Sequence, residues 1–104
     1  DLTLIAIGAY DPAWRDIHLD PEEAMAVHRM LCGSSASSDS VMIPIHWATF
    51  NLARHSWADP VARVLAAAQR EASTVLVPPP GGRIDIDSRT GSGLADPSWW
   101  ERSA

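Results

Sequence analysis

Short apolar runs alternate with two acid-capped amphipathic segments, and this predicts an α/β fold in the order strand-loop-helix-strand-helix-strand. Three observations carry that expectation. Residues 2–7, 41–45 and 74–77 are apolar stretches of strand length, bounded by Gly, Ser or Pro. Asp20-Pro21 and Asp59-Pro60 each open a helical periodicity. A helix interposed between successive strands is the pattern of a parallel sheet, because parallel neighbours need a crossover.

The first run, residues 2–7, is nearly continuous in apolar side chains and is expected to be buried on both faces, with Gly8 allowing a sharp exit. A strand that opens without an initiator methionine is expected to continue something upstream. The loop over residues 8–19 gathers Tyr10, Asp11, Trp14, Asp16 and His18 at a strand end, where sites are commonly assembled. Trp14 is expected to pin this loop to the core.

In the next segment Asp20 is the cap, Pro21 the first helical residue and Glu23 the reciprocal acceptor of a capping box, so a helix should run to about Gly33. Its periodicity puts Ala24, Val27, Met30 and Leu31 on one face, with Met25, His28 and Cys32 on the flank and His28 at the boundary. Glu22 and Glu23 suit the helix dipole better than catalysis. The polar connection over residues 33–40 has neither the spaced glycines nor the lysine of a phosphate cradle.

The second strand, residues 41–45, delivers His46 to its end, followed by Trp47, Ala48, Thr49 and Phe50. An imidazole there is placed like a metal ligand or a general base, or equally like a hydrogen-bonded structural residue. Residues 51–58 show no periodicity, and His55 reads as a surface residue. Asp59-Pro60 repeats the cap logic. Val61, Val64, Leu65, Ala68 and Ala72 then form a stripe, with Arg63, Arg70 and Glu71 facing water. Thr74 to Val77 is a final strand, stopped by three prolines and two glycines. The remainder reads as an extended or flexible tail over residues 78–104. Ile84 and Ile86 allow one edge strand there, residues 88–96 are expected to be mobile, and Trp99-Trp100 either docks on the body or mediates a contact.

The bulk properties narrow the function. With 104 residues and 46% hydrophobic content the chain can bury a core, but only just. A net charge of -5 argues against nucleic acid as a partner. A single cysteine, Cys32, cannot form an intramolecular disulfide and suits a reducing, cytoplasmic setting. No stretch resembles a signal peptide or a membrane span. His-x-His, Cys-x-x-Cys, His-Glu-x-x-His and Gly-x-Ser-x-Gly are all missing, so a metal bound here needs ligands from elsewhere.

Three ordered segments carry a resemblance: Ile7-Gly8-Ala9-Tyr10-Asp11-Pro12-x-Trp14, then residues 18–24, then Ile45-His46-Trp47-Ala48-Thr49-Phe50. Together they resemble the carboxy-terminal part of the metallo-β-lactamase-fold hydrolases related to N-acyl-phosphatidylethanolamine-hydrolysing phospholipase D, over about residues 1–77. The resemblance implies part of an αββα sandwich that holds two zinc ions and hydrolyses a phosphodiester or related ester with a bridging hydroxide. It also implies that His46 is the last metal ligand, that His18 is a histidine beside the metals acting in catalysis, and that Tyr10 is a substrate-binding residue of the same loop. The family's other ligands lie upstream of the matching region and are absent from this chain. The spacing between Trp14 and His18 is shorter than in the family, which bears on the position of His18 and on substrate class. The expected partners are the missing amino-terminal half and a small-molecule or phospholipid-like substrate, with a membrane surface as a further option. The chain alone is expected to be inactive and to bind zinc weakly at most. The rival expectation is a non-catalytic α/β interaction module that binds a partner chain.

Overall fold

The computed structural model describes residues 2–32, 40–88, 90–91 and 98–101. Strand β1 (Leu2–Ala6) is followed by a 3-10 turn (Pro12–Trp14), helix α1 (Pro21–Cys32), strand β2 (Val41–Ile45), helix α2 (Asp59–Arg70) and strand β3 (Thr74–Val75). The three strands form one parallel sheet in the order β1-β2-β3, with Leu2 opposite Val41 and Ala6 opposite Ile45. The hydrogen bond from Leu76 N–H to Met42 O extends the β2-β3 pairing by one residue. This is the expected α/β order.

One face of the sheet is covered. Ile5, Ile7 and Met42 pack with Ala24 and Met25 of α1 and with Val64, Ala67 and Ala68 of α2, so both helices lie on the same side. Side chains alternate across a strand, and the opposite face therefore carries Leu2, Leu4 and Ile45, which are 46%, 57% and 42% exposed. The expectation that the first strand is buried on both faces is corrected: the helices cover one face of the three-stranded sheet, and Leu2 and Leu4 on the other are exposed.

Helix α1 opens as its sequence predicts. Glu23 N–H donates to Asp20 Oδ1 at 2.8 Å and Asp20 N–H donates to Glu23 Oε2 at 2.9 Å. Its buried face differs from the expected one, because Pro21, Ala24, Met25 and His28 point inward while Met30 and Leu31 are exposed. His28 is a core residue, not a boundary one: it is 1% exposed and shares a 2.7 Å hydrogen bond with the Thr3 hydroxyl. Helix α2 departs from its expected cap. Residue 58 is the cap position, an alanine with no capping group; the Asp59 carboxylate accepts from the Tyr10 hydroxyl, and the Asp59 N–H donates to the Ser56 hydroxyl at 3.2 Å. The α2 stripe ends at Ala68; Ala72 lies past the helix, exposed.

The tail is structured in part. Ile84–Asp85 (β4) pairs antiparallel with Thr90–Gly91 (β5), so the one edge strand becomes a separate hairpin. A short helix α3 (Ser98–Glu101) brings Trp100 to 8% exposure against Val61 and Val77, and Trp99 packs beside it. Docking, one of the two options for the tryptophan pair, is what the fold adopts. Of the connection over 33–40 and the stretch over 88–96, both expected to be flexible, residues 33–39, 89 and 92–96 lie outside the described residues.

Candidate functional site

The carboxyl ends of β1 and β2 meet at Gly8 and His46. Strand β1 continues one residue beyond its last paired position, with Ile7 N–H donating to Ile45 O at 3.0 Å. This brings Gly8 under the His46 carbonyl: a Cβ at Gly8 would lie 2.2 Å from that oxygen and 3.2 Å from Trp47 Cβ. Only glycine allows this approach. His46 and Ala48 both adopt left-handed backbone with φ 60, and Ala9 across from them has φ 63. Non-glycine residues are held in that region at a cost of order 1–3 kcal/mol each, and only where the surroundings impose it.

The turn aims His46 outward, where its ring stacks on that of His18 with centroids 5.3 Å apart and planes 24° from parallel. No hydrogen bond among the described residues occupies either imidazole. The fold thus brings together His46 and His18, 28 residues apart in sequence. The pair divides two clefts. One, of about 220 Å³, is lined by His46, Trp47, Phe50, Leu52 and Trp57 and is mostly apolar. The other, of about 360 Å³, is bordered by charged residues, among them Asp11, Arg15, Glu23 and Arg63, with His18 beside them.

Tyr10 lies in this second cleft, but its hydroxyl donates to Asp59. Its ring stacks on His55 at 4.2 Å, and the Arg63 guanidinium lies 4.9 Å from the ring centroid. Burial, then the bond to the Asp59 carboxylate, pushes the phenol well above its ordinary range. Tyr10 is a neutral donor in this arrangement, committed to another side chain. Arg63, expected in water, is the hub: it grips Glu22 through Nε at 3.1 Å and Nη2 at 2.5 Å, and lies 3.6 Å from Asp59 and 3.9 Å from Asp20. The bidentate bond holds the Glu22 carboxyl below its usual range and the Arg63 guanidinium above its own. Helix α2 is thereby locked to the start of α1 and to the Tyr10 loop.

His55, read from sequence as a surface residue, is half-buried and clamps two loops. Ala9 N–H donates to its Nε2 at 3.0 Å, and its Nδ1 lies 2.9 Å from Ser56 O. A backbone N–H can only donate and a carbonyl can only accept, so the proton of the neutral ring is on Nδ1. No periodicity marked this residue, since its partners are 46 residues away and one residue away. Trp14, expected to pin the loop to the core, instead closes the loop on itself, its indole N–H donating to Ala9 O at 2.7 Å, and it is not part of the core clusters. Asp11, which the sequence places in this loop without a role, is 6% exposed; its Oδ1 accepts from Ala13 N–H, and among the described residues Arg54 Nε, at 3.9 Å, is the only cation near its Oδ2.

Two imidazoles suit zinc, which takes three or four convergent ligands. Among the described residues no group of three or more His, Cys, Asp or Glu side chains could hold a metal ion. The two imidazoles do not by themselves complete the three or four ligands that zinc takes.

Comparison with known proteins gives a partial likeness. The chain is 49% identical over 100 residues to an uncharacterized protein of Mycobacterium tuberculosis and to one of Mycobacterium bovis. The match covers 96% of this chain and spans about 25% of the length of those relatives. The chain is also similar to N-acyl-phosphatidylethanolamine-hydrolyzing phospholipase D 1 of Caenorhabditis elegans. That likeness is 38% identity over 52 residues, or 48% of this chain and 13% of the worm protein. It supports a metallo-β-lactamase-like relationship at most. No family model matches the chain. No helix among the described residues is long and apolar enough to cross a membrane.

Proposed function

We propose that this chain forms the carboxy-terminal part of a zinc-dependent hydrolase of metallo-β-lactamase-like fold, acting on a phosphodiester or related ester. The observation that carries the reading is the stacked His18–His46 pair at the carboxyl ends of two parallel strands, in a chain half of which is similar to a phospholipase. His46 is the metal ligand, presented from a rigid strand end by a turn that Gly8 makes possible. His18 faces the substrate and can donate a hydrogen bond or a proton from a ring nitrogen to its oxygen. Tyr10 borders the substrate through the loop it anchors. Zinc, when bound, supplies Lewis acidity and lowers the pKa of water.

The remaining ligands come from a further segment, and the exposed Leu2, Leu4 and Ile45 give it an apolar face to cover. Relatives about four times as long as the matched stretch have the residues to do so. The same face favours the second reading, a non-catalytic interaction module. Metal analysis separates the two. The purified chain should bind zinc weakly at most, and joined to the missing amino-terminal half it should hold two equivalents and hydrolyse esters. His46→Ala in that complex should lower the zinc content and cut the hydrolytic rate by at least about 100-fold. Two full equivalents in the variant would overturn the ligand assignment, and no metal in the complex would favour the interaction module.

A further inference from the structure

We infer that Trp99 and Trp100 are positioning residues for His46, acting as a strap that fastens Trp47 and so fixes the turn that aims the histidine. The importance given to that turn rests on the ligand reading above, whereas the strap itself rests on packing alone. Trp47 is flanked by His46 and Ala48, both left-handed. Two such residues within three positions persist only where neighbours over-determine the backbone. Gly8 supplies the constraint from below, through its approach to the His46 carbonyl.

The tail supplies the constraint from the side. The Trp47 indole lies 5.4 Å from Trp99 at 42°, 6.5 Å from Trp100 edge-on and 6.0 Å from Trp57. Trp99 and Trp100 stand perpendicular at 5.5 Å, and Trp99 is also edge-on to Trp57. These separations and tilts are those that aromatic pairs favour. Trp100 is in turn seated on Val61 of α2 and on Val77. The strap therefore ties the His46 turn to α2 and to the end of the third strand, leaving the ring of His46 itself untouched. The stretch shared with the mycobacterial relatives is long enough to take in this tail.

Backbone and histidine-ring NMR on the 104-residue chain tests the strap. Trp99→Ala and Trp100→Ala should shift the carbon resonances of His46 and Ala48 toward extended-backbone values and broaden the His46 ring signals. The signals of Thr3 and His28, which share a hydrogen bond outside the two clusters that Trp47 packs against, should stay in place. Trp99→Phe and Trp100→Phe should restore the His46 and Ala48 shifts, which a general loss of packing would not do. If Trp100→Ala unfolds, Trp99→Ala, at a half-buried position, provides the reading. Unchanged His46 and Ala48 resonances in Trp99→Ala would overturn the proposal. Displaced resonances without any change in zinc content of the completed protein would uphold the strap and count against the ligand reading.

Discussion

Gly8 shows how one missing atom can set a site. Its hydrogen stands where any other residue would put a carbon 2.2 Å from the His46 carbonyl, a contact with backbone that no side-chain rotation relieves. Gly8→Ala should displace the His46 turn and destabilise the fold by about 1–3 kcal/mol, the usual scale for overpacking. Urea unfolding measures the loss, and the His46 ring resonances report the displacement. Tyr10 makes a related point about chemistry. A phenol in an active-site loop invites a role in binding substrate, yet its hydroxyl is donated to Asp59 and its ring is held by His55 and Arg63. What the residue most plainly does is join three segments.

Helix α1 is fastened to β1 by His28, and that joint makes stability depend on pH. Burial, reinforced by the neighbouring Arg29 charge, lowers the His28 pKa below its ordinary 6.5. The unfolded chain then binds a proton that the folded chain refuses, so this contribution falls as pH drops through about 6.5 and levels off below the lowered folded value. Urea midpoints between pH 7.5 and 5 should decline in the natural chain, and His28→Gln should be less stable at neutral pH but show a shallower decline. Helix α2 illustrates the opposite transaction. Its own first carboxylate accepts from Tyr10, the Ser56 hydroxyl accepts from the first N–H of the helix, and Arg63 grips Glu22 across the helix pair.

At the scale of the molecule, the asymmetry of the sheet decides most. One face is closed by two helices, and the other presents Leu2, Leu4 and Ile45 to solvent. Leu4→Lys should therefore leave the isolated chain close to its original stability, within about 0.5 kcal/mol, as surface substitutions do. In a protein where a second layer covers that face, the same change should cost about 2 kcal/mol or more, because it buries an unpaired charge. Thermal unfolding of the chain with and without an added amino-terminal segment distinguishes the two.

The amino-acid sequence by itself determined the order of the elements, the parallel crossovers, the capping box of α1 and the place of His46 at a strand end. Each of these follows from local spacing, from Gly, Pro and acid punctuation, or from a run of apolar residues. The tertiary structure alone decided which apolar residues find a neighbour. Met30 and Leu31 share the periodicity of a buried stripe but are turned outward by the way α1 sits on β1, while His28, read as a boundary residue, is enclosed. It gave the stacking of His18 on His46, and it alone made His55 a clamp, set Arg63 at the hub and seated the tail tryptophans on Trp47. Those contacts join residues far apart along the chain, and periodicity, a property of one dimension, carries no record of the rotation and approach of packed elements.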